Sequence, residues 1–325
     1  MSTPVILRDG VTIPADIVTQ LIMHPDTQHS TEWFAHLPGM IDRWCDEWQI
    51  TLEPGLPRIS YNIVLFGTSA HSGPVVLKLS PPHEEFRAEL EGLRLAQGDG
   101  VVRLLHGDAD EAGMLLERIT PGVPLRDLPL TYDDIEATRI AATSMKRYWR
   151  NVSNADGLIP LERWFRDLFT YEARLSSGAV SAPLPVDLAQ AAACAARDMI
   201  GPGTESVLLH GDLHHDNLLT NQQGGWTIID PKGLIGAPEY EVGTWMLNTP
   251  WLRDEQDRRD LLRRRVEVCS EELGLPRERV LAGGLVHAVL CACWSLIDAD
   301  EATPEDDWLA ASIASAQIFR DLMAE

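Results

Sequence analysis

Residues 208–220, "LLHGDLHHDNLLT", concentrate chemically active side chains in one short segment. Within its eight positions from 210 to 217 stand three histidines, two aspartates and an asparagine: His210, Asp212, His214, His215, Asp216 and Asn217. Such a set can hold a metal ion, relay protons or position a phosphate. Each alternative predicts a different enzyme, and the rest of the chain has to decide among them.

The composition is that of a soluble globular protein. The 325 residues include 45% hydrophobic and 23% charged side chains, enough to bury one large core or two smaller ones. The 27 basic and 49 acidic side chains give a formal net charge of −22. This charge disfavours nucleic acid and anionic membranes as partners and favours a cationic small molecule, although acidity also serves solubility alone.

The cysteines and the N-terminus indicate a cytoplasmic protein. Five scattered cysteines, an odd number, argue against a disulfide framework and for a reducing compartment. The first ten residues lack the pattern of a secretory leader, and the apolar stretch at residues 282–297 is short for a membrane span and interrupted by glycines and His287. We expect no membrane, no nucleic acid and no obligate protein partner.

Hydrophobic periodicity divides the chain into three parts. Residues 1–50 predict a helical cap from the patterns "ADIVTQLIMH" and "STEWFAHLPGMIDRWCDEW". Residues 51–120 predict a small lobe with the order strand, strand, helix, strand, strand, in which "PVVLKLS" is the second strand and "PPHEEFRAELEGLRLAQG" the helix. Residues 121–325 predict a larger helical lobe, with short strands "SVLL" and "WTIID" before and after the histidine-rich residues 210–217. The fold class is therefore α+β with two lobes.

Two classes of hydrolase fit residues 208–220 poorly. Binuclear zinc hydrolases use H-x-H-x-D-H, whereas this segment reads H-x-D-x-H-H-D, and the other histidines form no set with ligand spacing. A serine hydrolase needs a nucleophile in G-x-S-x-G, which the chain lacks. Neither a zinc site nor an activated serine is expected.

Phosphoryl transfer accounts for the segment residue by residue. Residues 210–217, "HGDLHHDN", match the kinase catalytic-loop pattern H-R-D-L-x-x-x-N with glycine in place of arginine. In that pattern Asp212 accepts the proton of the attacking hydroxyl, and Asn217 binds magnesium. Asp230, in "DPKG" after the next predicted strand, stands where D-F-G supplies the second magnesium ligand.

The small lobe supplies the residues that such a reaction needs for the nucleotide. Lys78 lies in "PVVLKLS", like the strand lysine that neutralises nucleotide phosphates. The following helix offers Glu89 as its partner, with Glu85 as the alternative, because the two acids lie one helical turn apart.

These motifs together resemble the aminoglycoside phosphotransferase family, in particular its branch of streptomycin 6-phosphotransferases and hydroxyurea phosphotransferases. The resemblance runs from about Trp44 to the C-terminus. It implies a protein-kinase-like fold, with a small antiparallel-sheet lobe carrying one helix, a larger helical lobe, and ATP with Mg²⁺ bound between them. It also implies that backbone groups around Glu117 and Ile119 contact the nucleotide base. Since Gly211 replaces the arginine that senses activation-loop phosphate in many protein kinases, no activating phosphorylation is expected.

Several assignments depend on less specific signals. The chain has no G-x-G-x-x-G loop, so the bend at Ser60, Tyr61 and Asn62 is expected to cover the phosphates. His210 is expected to be a structural hydrogen-bonding residue, and Asp216 to support the metal ligands indirectly.

The acceptor is the least determined part of the prediction. The resemblance favours an aminoglycoside-type acceptor such as streptomycin, and the alternative is a housekeeping kinase for a sugar, an amino sugar or another small metabolite. A cationic acceptor requires carboxylates near Asp212. The candidate acceptor contacts are His214, Glu239, Glu241, Asp298, Asp300 and Glu301. A solvated helix end would explain the last three equally well.

Overall fold

The computed structural model describes residues 4–15, 30–59, 62–129, 133–248, 255–298 and 307–325. The chain divides into two compact units, Met1–Gly122 and Val123–Glu325. The predicted helix "ADIVTQLIMH" falls almost entirely outside the described residues.

The first unit is built on an antiparallel sheet. Its strands are β3 (Ile50–Leu52), β4 (Arg58–Ile59), β5 (Ile63–Ser69), β6 (Gly73–Leu79), β7 (Leu104–Asp108) and β8 (Gly113–Glu117). They lie in the order β3-β5-β6-β8-β7, and β4 pairs with β5. An additional ribbon of β1 (Val5–Ile6) and β2 (Thr12–Ile13) precedes them. The predicted order of strand, strand, helix, strand, strand is confirmed in β5, β6, a helix, β7 and β8.

Two helices accompany this sheet, α1 (Ser30–Glu47) and α2 (Glu84–Ala96). The helix α1 belongs to the predicted cap, yet its apolar face shares one core with the sheet: Leu37, Ile41 and Trp44 are buried in a single cluster with Leu65 and Leu77. Gly113 of β8 lies directly against the Trp44 ring, where a Cβ atom would overlap the indole. The cap region and the sheet therefore form one folded unit.

The second unit is mainly helical. Its helices are α3 (Asp134–Tyr148), α4 (Leu161–Trp164), α5 (Arg166–Ser176), α6 (Val186–Met199), α7 (Val242–Leu247), α8 (Glu255–Leu273), α9 (Arg277–Asp298) and α10 (Asp307–Ala324). The helix α9 packs against α10, α7 and α6 and forms the centre of this unit. By length and hydropathy α9 could cross a membrane, but 72% of its apolar window is buried inside the protein, as in the core helix of a soluble domain.

Two small sheets position the loops of the second unit. One has the order β10-β14-β11, from β10 (Ile159–Pro160), β11 (Val207–Leu209) and β14 (Leu234–Gly236). The other has the order β13-β12-β9, from β9 (Pro121–Pro124), β12 (Leu218–Asn221) and β13 (Trp226–Ile228). The apolar pattern of "IPLERWFRDLFTYEARL", residues 159–175, predicts one helix. The structure instead begins this segment with β10, because Ile159 and Pro160 pair in parallel with β14.

Candidate active site

Residues 210–217 form the loop between β11 and β12. Its last turn is a 3-10 helix, His215–Asn217. Asp230 lies in the next loop, between β13 and β14, and the antiparallel pairing of Leu218 with Ile228 brings the two loops together. Two backbone hydrogen bonds tie them, from Ile229 N to Asn217 O at 3.0 Å and from Lys232 N to His210 O at 2.7 Å. The fold therefore gathers Asp212, Asn217 and Asp230 on neighbouring loops.

Asn217 is oriented by its own loop. Its side-chain Nδ2 donates to the backbone carbonyl of Asp212 at 3.0 Å, which turns the amide oxygen Oδ1 away from that contact. An amide oxygen and a carboxylate, as Asn217 and Asp230 supply on these neighbouring loops, are the kinds of donor that Mg²⁺ binds. Asp230 has a φ of 59°, in the left-handed region that aspartate and asparagine tolerate better than other side chains. The residues present thus fit a magnesium ion.

His210 is a structural residue of this loop. Its Nε2 donates to the Ile229 carbonyl at 2.8 Å, and its Nδ1 accepts from the Asp212 amide at 3.2 Å. This pair of contacts needs the neutral ring with the proton on Nε2. Burial lowers the pKa of His210 to about 3, so the neutral form persists at physiological pH. The ring therefore fixes the backbone of Asp212 and does not transfer a proton.

Gly211 meets two demands that no larger residue meets. Its φ is 79°, in the left-handed region. A Cβ atom there would lie 2.5 Å from Leu234 Cδ1. An arginine at this position, as in protein kinases, would therefore strain the backbone and collide with β14.

Glu241 supports the same loop through hydrogen bonds to its backbone. Its carboxylate accepts from the backbone amides of His210 at 2.6 Å and Gly211 at 2.9 Å. The side chain is 1% exposed, and burial raises its pKa to about 7. The sequence suggested Glu241 as an acceptor contact, but its buried hydrogen bonds favour a role in positioning Asp212. No signal in the local sequence separated these two roles.

The other proposed acceptor contacts also have partners within the second unit. Glu239 is 5% exposed and pairs with Arg279 at 3.0 and 2.7 Å. His214 Nδ1 accepts from the Asp216 amide at 3.3 Å, and Asp216 pairs with Arg126 at 2.6 Å. The geometry favours a bracing role for both.

The structure does not describe the side chains of the remaining acceptor candidates, and it gives the last loop histidine, His215, a buried position. The Asp298 side chain, Asp300 and Glu301 lie outside what the structure describes. His215 stacks on Trp245 with ring centroids 4.1 Å apart, and burial lowers the pKa of His215 to about 3.

The first unit carries a buried ion pair. Lys78 Nζ lies 2.6 and 2.7 Å from the two carboxylate oxygens of Glu89, and the two residues are 3% and 6% exposed. Between the two acids that the sequence left open, the structure thus pairs Lys78 with Glu89. Glu89 lies on the buried face of α2, with Phe86 and Leu93.

The expected nucleotide contacts of the first unit are only partly described. Glu117 ends β8, and its Oε1 accepts from the Arg103 amide at 2.9 Å. Ile119 follows two residues later and is partly buried. Asn62 lies in a bend immediately before β5, while Ser60 and Tyr61 fall outside the described residues.

Comparisons with known proteins identify related kinases by sequence. A family model described as aminoglycoside/hydroxyurea antibiotic resistance kinase matches residues 48–299. The chain is 32% identical to a streptomycin 6-kinase of Streptomyces griseus, covering 82% of this chain and 85% of that protein. It is 29% identical to a hydroxyurea phosphotransferase of Kitasatospora aureofaciens, covering 93% and 86%.

A solved structure supports the fold. A thermostable mutant of aminoglycoside phosphotransferase APH(4)-Ia, in a ternary complex with ADP and hygromycin B, superposes with a TM-score of 0.57. The match covers 86% of this chain and 97% of that one at 16% identity. The predicted kinase-like α+β fold is confirmed.

Proposed function

The chain belongs to the aminoglycoside/hydroxyurea antibiotic resistance kinases, and we propose that it transfers the γ-phosphate of ATP to a hydroxyl of an aminoglycoside-type acceptor such as streptomycin. The observation that carries the proposal is the pair of clamped loops, which holds Asp212, Asn217 and Asp230 together. The similarity to streptomycin 6-kinases over most of the chain supports the choice of acceptor.

Asp212 is the proposed general base. It accepts the proton of the acceptor hydroxyl as the oxygen attacks phosphorus, a contribution of about 10²–10⁴-fold to the rate. Its backbone is held by His210 on one side and by Asn217 on the other. Because both contacts are made before the acceptor binds, the reaction does not have to order this loop.

Asn217 and Asp230 are the proposed magnesium ligands. A bound Mg²⁺ neutralises charge on the phosphates. The protein contributes the oriented Asn217 amide and the Asp230 carboxylate, held by the bond between Ile229 N and Asn217 O. Asp216 supports this loop through its pairing with Arg126.

Lys78 is the proposed phosphate ligand of the first unit, and Glu89 holds its ammonium group in place. Contact with both oxygens of a buried carboxylate keeps the ammonium group of Lys78 in one orientation. The backbone around Glu117 and Ile119 is proposed to contact the nucleotide base, and residues 60–62 to cover the phosphates. We further propose that the enzyme works in the cytoplasm on a small-molecule acceptor and needs no activating phosphorylation.

The test is ATP consumption by the purified protein with magnesium, against streptomycin, other aminoglycosides, hydroxyurea, glucosamine and simple sugars. We expect turnover with streptomycin, and a loss of about 10²–10⁴-fold in kcat for Asp212→Asn with nucleotide affinity unchanged. The exposed Asp127→Asn, in the 3-10 turn Leu125–Asp127, is the matched control for loss of one negative charge.

Each outcome of this panel has a distinct meaning. Turnover only with a sugar or another metabolite would assign the phosphotransfer chemistry to a housekeeping kinase. Near-full turnover of Asp212→Asn would remove Asp212 from the mechanism.

A further inference from the structure

A cluster of two tryptophans and an aspartate lies at the surface of the second unit, outside the catalytic loops. Trp294 Nε1 donates to Asp167 Oδ2 at 3.2 Å. The Trp164 and Trp294 rings meet edge to face, with centroids 5.4 Å apart and planes at 78°. All three side chains are partly exposed, so they remain accessible to a ligand. We propose that Trp164, Asp167 and Trp294 form the subsite that binds a cationic group of the acceptor, an inference that rests on the proposed function.

The first support is that Asp167 lacks an internal cation. Three other partly or fully buried carboxylates of this unit have arginine partners: Asp134 pairs with Arg265, Glu172 with Arg197, and Glu239 with Arg279. A fourth, Glu241, accepts from two backbone amides instead. Within the part of the chain that the structure describes, Asp167 has no basic partner and receives only the Trp294 N–H. A half-buried carboxylate held in this way suits a guanidinium or ammonium group supplied from outside.

The tryptophan rings show the same pattern. Arginines stand over four other aromatic rings of this unit, at 5.1–6.0 Å from the centroids of Tyr148, Tyr171, Phe169 and Trp245. Across the described ranges, no arginine or lysine lies over Trp164 or Trp294. Indole is the aromatic surface that attracts cations most strongly. The two rings and the carboxylate thus offer one cation complementary contacts from different directions.

A chain of hydrogen bonds connects this cluster to the catalytic loop. Trp164 Nε1 donates to Tyr240 Oη at 2.6 Å, and Tyr240 Oη lies 3.1 Å from His287 Nδ1. His287 Nε2 lies 3.4 Å from Thr244 Oγ1, which donates to the Gly211 carbonyl at 3.3 Å. The cluster is therefore positioned by the same contacts that hold the residue before Asp212.

Helix α9 sets the distance between the tryptophan cluster and the loop that carries Asp212. His287, Cys291 and Trp294 follow one another at helical spacing on one face of α9. The hydrogen bonds from His287 through Thr244 to the Gly211 carbonyl place the residue before Asp212 beside this face. From His287 to Trp294 the helix rises about 10 Å. An acceptor with several rings can span that distance while its hydroxyl meets Asp212, and hydroxyurea cannot.

The decisive experiment compares Asp167→Asn with the wild type, using streptomycin as the probe. The amide retains an oxygen to accept the Trp294 N–H, so the change removes the charge and keeps the fold. We expect the KM for streptomycin to rise by about 10- to 100-fold, with kcat at saturation within about threefold of the wild type. Calorimetric binding of streptomycin without nucleotide should weaken by the same factor. Trp294→Leu should also raise KM.

Glu172→Gln is the matched control, because it removes the same charge from the same helix, α5, where Arg197 already pairs with it. Its KM should stay within about twofold of the wild type. Turnover of hydroxyurea, where measurable, should be equal in all variants.

The outcomes separate the subsite from the function. Asp212-dependent turnover of streptomycin with an unchanged KM in Asp167→Asn would overturn the subsite and leave the proposed function intact. Wild-type protein that binds streptomycin through Asp167 without phosphorylating it would contradict the proposed function and keep the subsite. Absence of any streptomycin binding to the wild type would overturn both.

Discussion

Glu89 in the first unit and Glu241 in the second are both buried acids, 6% and 1% exposed, and they face different partners. Glu89 holds the ammonium group of Lys78, a flexible side chain that has to be aimed. Glu241 accepts from two backbone amides next to Asp212 and has no cation in these contacts. The first unit therefore uses a buried charge to position a side chain, and the second uses one to position the main chain.

This difference changes how each unit responds to perturbation. An ion pair fails when either partner is removed, because the remaining charge is left buried. A loop held by hydrogen bonds to its backbone, with buried histidines around it, fails when those groups change protonation or when the backbone has to move. The expected effects below run from the largest to the smallest.

Mild acid should destabilise the second unit before the first. Among the described residues, the buried histidines are His210, His215 and His287, all in the second unit. Burial lowers the pKa of each, to about 3, 3 and 4. Since the unfolded value is about 6.5, the stability from burying the neutral rings is complete above that pH and declines below it, by about 2 kcal/mol per histidine at pH 5.

Scanning calorimetry at pH 7.5 and pH 5 measures this acid response. Glu241 opposes it: its folded pKa of about 7 exceeds the unfolded 4.5, so its contribution is present below pH 4.5 and disappears as the pH rises through 7. Glu241→Gln should therefore make the acid loss steeper. A first unit that melts before the second at pH 5 would contradict the comparison.

Lys78→Met should destabilise the first unit by about 3–5 kcal/mol, because it removes the buried ammonium group that faces the Glu89 carboxylate. Urea unfolding measures the change. The double variant Lys78→Met/Glu89→Leu should regain most of that stability, since no charge remains buried, and should still lack tight nucleotide binding. A single variant as stable as the wild type would show that the pair is not buried in solution.

Gly211→Ala should destabilise the second unit by about 2–4 kcal/mol, from left-handed strain together with the contact between the new Cβ and Leu234. The control is Gly178→Ala, at a φ of 73° with no atom within 4 Å of the added Cβ. It should show the backbone strain alone, about 1–2 kcal/mol. Thermal melting and kcat are the measurements. Equal losses in the two variants would show that β14 does not restrict the catalytic loop.

The smallest expected loss of stability comes from removing one buried hydroxyl in each unit. Thr244 donates to the Gly211 carbonyl at 3.3 Å, and Ser69 in the first unit donates to the Trp48 carbonyl at 3.1 Å. Thr244→Val and Ser69→Ala should each destabilise the protein by about 1 kcal/mol. Only Thr244→Val should also lower kcat, because only that bond touches the residue before Asp212. A change in kcat for Ser69→Ala alone would reverse this assignment.

The proximity of the proposed catalytic and magnesium-binding residues was predictable because it is encoded locally. Asp212 and Asn217 lie five residues apart in one loop, and Asp230 follows the next hairpin, so their proximity needs only short-range structure. The order of strands and the helix in the first unit followed in the same way from periodicity.

Contacts between distant residues were not predictable. Glu89 and Glu85 differ only in which part of α2 faces Lys78, and packing of the helix made that choice. Glu241 was suggested as an acceptor contact because nothing near it in sequence indicates the amides of His210 and Gly211, thirty residues earlier. Residues 159–175 begin with a strand, and do not form one helix throughout, because β10 pairs with β14.

The sequence by itself determined the family, the fold class and the order of the reactive groups, since spacing and periodicity act over a few residues. Only the tertiary structure decided which carboxylates brace the protein from within and that Asp167, among the described residues, receives only the Trp294 N–H. Asp167 and Trp294 are 127 residues apart, and their hydrogen bond exists because α5 and α9 pack together. A side chain's role here depends on whether the fold supplies it with a partner, and that is set by packing between distant elements.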